Sequence, residues 1–68
     1  MNMKYIWITK AMENGGALTS YYDGNFFRAD IQWFYGKAIF SDLCENFADA
    51  LASLNLALED DAADECHL

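Results

Sequence analysis

Two hydrophobic periods meet in this chain at Gly36, and together they restrict it to a mixed fold. Over Phe26 to Tyr35 the side chains alternate, with Phe27, Ala29, Ile31, Trp33 and Tyr35 on one face and Phe26, Arg28, Asp30, Gln32 and Phe34 on the other. That is the period of a strand. Beyond the glycine, Leu43, Phe47, Ala50, Leu51, Leu54, Ala57 and Leu58 fall on one arc when residues are spaced by about 100°, the period of an amphipathic helix. A strand and a helix with one apolar face each must bury those faces, and they do so against one another. The set from Phe27 to Tyr35 is therefore the expected core face.

The remaining segments are read in the same way. Met3 to Ala11 is rich in β-branched and aromatic residues and alternates, Ile6 and Ile8 against Tyr5, Trp7 and Thr9, which predicts a first strand. Glu13-Asn14-Gly15-Gly16 then turns the chain into a second strand over Ala17 to Tyr22, and Asp23-Gly24-Asn25 turns it again into the long strand. Gly36 marks a bend, and Lys37 to Phe40 is a short fourth strand or an extended lead into the helix. Ser41 or Asp42 is the expected helix cap, with Asp42 and Glu45 approximating a capping box. Glu59 to Leu68 has no apolar period; it could extend the helix by a turn, but its carboxylates would oppose the helix dipole at a C-terminus, so a disordered acidic tail is expected there. The expected architecture is α+β: a three- to four-stranded antiparallel sheet backed by one C-terminal amphipathic helix, with a single domain over residues 1–58 and a tail over 59–68.

Charge is as unevenly distributed as hydrophobicity. Ala38 to Leu68 contains no Lys or Arg but eight carboxylates, whereas Lys4, Lys10, Arg28 and Lys37 all precede it; the 68 residues carry a net charge of −7. Such a field attracts basic surfaces and repels nucleic acid and anionic membranes. On the helix, Asp42, Glu45, Asp49 and Asp60 fall opposite the apolar arc, with Ala52 and Ser53 between them. Ordinary exposed helices mix signs to form pairs four residues apart, so an unmixed acidic stripe competes on equal terms with the plain reading of a solvated face. Leu56 falls among these acids and has no explanation in the pattern.

A hydrophobic content of 54% is that of a folded chain, although one this short buries only about 60% of its unfolded surface. No segment has the length of a signal-peptide core or a membrane span, which leads to the expectation of a soluble cytoplasmic protein. There Cys44 and Cys66 are expected as free thiols, with a disulfide between them as the alternative. Cys66-His67 with Cys44 matches no zinc spacing, and no nucleophile, phosphate-binding or dinucleotide motif occurs. No cofactor, metal or catalytic role is therefore expected.

On the expected sheet, Tyr5, Trp7, Phe26 and Phe34 lie on the face away from the helix, as an interface, as the RNA-stacking platform of RRM-type domains, or as plain edge filling. The charge argues against RNA. A homodimer burying this face is a further option.

With its single small α+β domain, its acidic helix (Asp42, Glu45, Asp49) and its acid-rich end (Glu59 to Glu65), the chain resembles the phage-encoded inhibitors of host defence, the anti-CRISPR proteins and other DNA mimics. The resemblance is one of size, charge and layout. It implies binding to a basic DNA-recognition surface of a CRISPR-Cas effector in the bacterial cytoplasm, with Asp42, Glu45, Asp49, Asp60 and Asp61 as charged contacts and Trp7 and Tyr5 as anchors. The order of strands, Gly36-Lys37-Ala38 and Ala/Leu-rich helix is also similar to the HicB-like antitoxin domain, from which the chain departs in having no proline and no DNA-binding portion. That alternative implies a small basic toxin as partner.

Overall fold

The computed structural model describes residues 4–65. Helix α1 (Ile6–Glu13) is followed by strands β1 (Ala17–Tyr22), β2 (Phe27–Gln32) and β3 (Ala38–Phe40) and by a long helix α2 (Phe47–Glu65). The strands form one antiparallel sheet in the order β1-β2-β3, with Leu18 opposite Ile31 and Ile31 opposite Ile39. The expected α+β arrangement of an antiparallel sheet with a C-terminal helix is present.

Its first element differs from expectation. The segment expected as a strand from Met3 is α1 from Ile6 onward, and Met3 itself lies outside the described residues. Two features outweigh the β-leaning composition. The helix ends in a Schellman motif: Gly16 N–H donates to the Ala11 carbonyl (2.9 Å), Gly15 N–H to the Met12 carbonyl (3.1 Å), and Gly15 takes φ +94°. The Asn14-Gly15-Gly16 sequence thus closes a helix instead of a hairpin. At the other end, Tyr5 offers no side-chain cap, and Asn55 of α2 supplies it, its Oδ1 accepting the N–H groups of Trp7 (2.9 Å) and Ile8 (3.2 Å).

β2 stops at Gln32, three residues short of its expected end. Phe34 and Tyr35 occupy a turn closed by Gly36 N–H donating to the Trp33 carbonyl (3.0 Å), and Gly36 has φ +95°, the left-handed residue that ends a three-residue hairpin loop. Tyr35 is consequently exposed instead of in the core, and Phe34 is 94% exposed at the tip. Asp23 holds the β1–β2 turn, its Oδ1 accepting the N–H groups of Asn25 and Phe26 (2.9 and 2.8 Å). Those bonds hold its carboxyl below the usual carboxylate range.

The core contains Ile8, Ala11, Ala29, Ile31, Ala50, Leu54 and Leu58, so both helices pack on the face of β2 that carries Ala29 and Ile31. Gly16 allows the close approach of α1: a Cβ there would stand 2.6 Å from Ile31 Cγ2 and 2.9 Å from the Ala11 carbonyl oxygen. On the opposite face Asp30 is fully buried, contrary to its expected solvent position. Tyr21 Oη donates to its Oδ2 (2.7 Å), Arg28 Nη2 donates to Tyr21 Oη (2.9 Å), and the Arg28 guanidinium lies over the rings of Tyr21 and Phe40. These three long side chains roof the carboxylate without a helix.

Helix α2 begins later and ends later than expected. Between the Ala29–Ser41 and Phe27–Cys44 backbone links, β2 advances two residues and the segment opposite it three, a bulge that keeps Asp42 and Leu43 out of the helix. The N-cap is one turn on: Asp49 N–H donates to Asn46 Oδ1 (2.8 Å), and the Asn46 side-chain Nδ2 donates in turn to Asp49 Oδ2 (3.1 Å). Leu43 therefore lies off the helix and is exposed, while Ala50, Leu54 and Leu58 follow the expected arc into the core. The helix continues through Glu59 to Glu65, where a disordered tail was expected; Cys66 to Leu68 lie outside the described residues. A tertiary ion pair holds this end, Lys37 Nζ lying 2.7 Å from Asp61 Oδ2 and offsetting the unfavourable helix-end charge.

Candidate functional site

The acidic residues divide into two groups according to the side of α2 they occupy. Asp49, Ser53, Leu56 and Asp60 follow one another at spacings of four, three and four residues, which places them on one side of the helix, away from Ala50, Leu54 and Leu58. Asp49 and Asp60 are exposed and about 16 Å apart along the axis at about 1.5 Å per residue. Asp42 joins them through the bulge, its backbone N–H donating to Ser53 Oγ (3.0 Å). Glu45 is exposed in the loop just before Asn46, so the regular helical spacing of Glu45 to Asp49 expected from the sequence does not hold. Among the described residues none of Asp42, Glu45, Asp49 and Asp60 takes part in an ion pair.

Asp61 belongs to the other side. It faces β3 and is engaged by Lys37, so it is spent on the fold. Tyr5 and Trp7 are likewise apart from the acidic side. Both are half-buried on and beside α1, packed against the core, and Lys10 Nζ lies 4.7 Å from the Trp7 ring centroid. Trp7 lines an open cleft of about 340 Å³ with Trp33, Tyr35, Lys10, Lys37 and Leu58. The anchors expected on a free sheet face thus lie on a different surface from Asp49 and Asp60.

The structure supplies another apolar group in their place. Leu56 is 60% exposed between Asp49 and Asp60, and Leu43, beside Asp42, is 58% exposed. An exposed apolar side chain on the same helix side as carboxylates gives an electrostatic surface the desolvated contact that charge alone lacks. Leu56 was visible in the sequence as the one large apolar residue off the helical arc.

Cys44 is half-buried and a free thiol, and its Sγ donates to the Asp42 carbonyl oxygen (3.5 Å). Burial and the nearby carboxylates of Asp49 and Asp42 push its thiol up, which makes it a poor nucleophile at neutral pH. Its suggested pairing with Cys66, and the Cys66-His67 metal reading, concern residues outside the described range. Among the described residues no three metal-capable side chains gather, and no helix is long and apolar enough to cross a membrane. No protein family, curated protein or solved structure matches the chain.

Proposed function

We propose that this chain is a binding protein, not an enzyme, and that it inhibits its partner by occupying a basic, DNA-contacting surface with the carboxylate side of α2. In the form implied by the resemblance to anti-CRISPR proteins, the partner is the DNA-recognition subunit of a CRISPR-Cas effector and the consequence is loss of target-DNA binding. The observation that carries the reading is the separation of roles on α2. Asp61, which meets Lys37, faces the sheet, while among the described residues Asp42 and Glu45 ahead of the helix and Asp49 and Asp60 on its outer side with Leu56 are exposed without an ion pair. Helix surfaces that serve only solubility gain from mixed charge, whereas a surface complementary to a phosphate-binding groove must be of one sign.

The test is displacement of labelled target DNA from a purified effector. Wild type should compete, and the variant Asp42→Asn/Glu45→Gln/Asp49→Asn/Asp60→Asn should lose most of that competition together with its salt dependence. A wild type that leaves DNA binding intact, or a neutralised variant that competes equally well, removes the reading. The antitoxin alternative is favoured by one observation, the succession of the β1–β2 hairpin, β3 with its Gly36 bend, and an Ala/Leu-rich α2. Helix α1 ahead of the hairpin is an additional departure from it. Recovery of a small basic protein that the chain neutralises, with no effect on any effector, would select that alternative.

A further inference from the structure

We infer that the outer edge of β1 pairs antiparallel with the same edge of a second copy of this chain, joining two three-stranded sheets into one of six strands. β1 is an edge strand: among the described residues its only strand neighbour is β2, and all six of its residues are exposed. An unpaired edge presents a row of backbone N–H and C=O groups ready for another strand, and monomeric proteins block such edges with lysine, proline, bulges or a covering element. Ala17-Leu18-Thr19-Ser20-Tyr21-Tyr22 contains none of these, and its register with β2 is continuous from end to end. α2 packs on β2 and β3 and not on β1, which α1 touches less than it touches α2.

The side chains at this edge suit a copy of themselves. Leu18, Tyr21 and Tyr22 are 37%, 39% and 58% exposed, and Tyr22 stacks on Phe27 (4.5 Å between centroids) beside the exposed ring of Phe47. A two-fold axis perpendicular to the sheet keeps like faces together. Centred on Ser20, it sets Leu18 of each copy opposite Tyr22 of the other on the helix side, and Thr19 opposite Tyr21 on the open side. Such aliphatic–aromatic and hydroxyl pairs stabilise adjacent strands. Charge permits self-association at this edge. In a chain of net charge −7, β1 carries no charge at all, and α2, which bears the exposed acids Asp49 and Asp60, packs on β2 and β3 and not on β1, so the paired strands bring no carboxylate of their own together. This inference is independent of the acidic side of α2 and of the partner proposed for it.

The test is sedimentation equilibrium of the full chain over ~1 µM to ~1 mM at low and high salt. Wild type should approach twice its monomer mass, more readily at high salt because screening relieves the net negative charge. Ser20→Glu places two like charges at the axis and should weaken the dimer by at least about tenfold. Ala52→Glu adds the same charge on exposed α2 and should leave the dimer intact. Circular dichroism checks the fold of both variants. Hydrogen exchange of the wild type gives a reading that needs no variant, since outward-facing β1 amides should gain protection as concentration rises. A wild type that stays monomeric throughout, a dimer that survives Ser20→Glu, or equal loss in both variants overturns the proposal.

Discussion

Asn55 stands in the middle of α2, yet its side chain does its work on another helix, 47 and 48 residues away in sequence. The N–H groups of Trp7 and Ile8 have no carbonyl before them in the helix and would be left without a partner beside the core; one amide oxygen accepts both. Replacement of Asn55 by Ala should therefore cost about 1–2 kcal/mol of stability, with loss of helical signal from α1. Asn55→Asp retains the acceptor and places negative charge at the helix N-terminus, so it should recover most of the loss. Urea unfolding of the two variants checks this, and an Asn55→Ala protein as stable as wild type would show that α1 does not depend on the cap. Gly16 is constrained as tightly, because any side chain there meets Ile31 and the Ala11 carbonyl.

At the scale of elements, the ends of α2 are fixed by contacts outside it. Its start is set by the β-bulge at Asp42 and Leu43, which delays the helix until Asn46 can cap it. Its last turns carry Asp60 and Asp61 against the dipole, and Lys37 from the strand side meets Asp61. Lys37→Ala should remove about 0.5–1 kcal/mol, the range of a partly exposed pair, and should raise hydrogen exchange over Asp60 to Ala63 while leaving Ala50 to Leu54 unchanged. Uniform loss across α2 would contradict this local role. The strands were more legible than the helices. β1 lies between two glycine-containing turns, and the alternation of Phe27 to Ile31 is carried through into the buried pair Ala29 and Ile31. α1 has the local signature of a strand because Ile6, Trp7, Ile8 and Thr9 favour strands, whereas the Asn14-Gly15 helix stop lies in the same stretch and is decisive only with Asn55 in place.

For the whole molecule, one charge imbalance has consequences of opposite sign. Salt screens the self-repulsion of a chain at −7, so the melting temperature should rise by a few degrees between ~0.05 and ~0.5 M NaCl. The same screening should weaken binding to a basic partner over that range. A melting temperature that falls with salt would mean that internal attractions such as Lys37–Asp61 outweigh the repulsion among the carboxylates. By itself the sequence determined the α+β class, the two strands around Asp23-Gly24-Asn25, the Ala50, Leu54 and Leu58 part of the expected apolar arc, from which Leu43 and Phe47 are exposed, and the one-signed charge of the outer side of α2. Those are properties of local period, turn chemistry and composition, which need no knowledge of neighbours. Only the tertiary structure decided that the first segment is a helix, that Asp61 belongs to the fold while Asp60 faces outward, and that Leu56, not Tyr5 or Trp7, lies among the exposed acids. Each depends on which element packs beside it, and a side chain from far along the chain can reverse a preference worth a few tenths of a kcal/mol per residue.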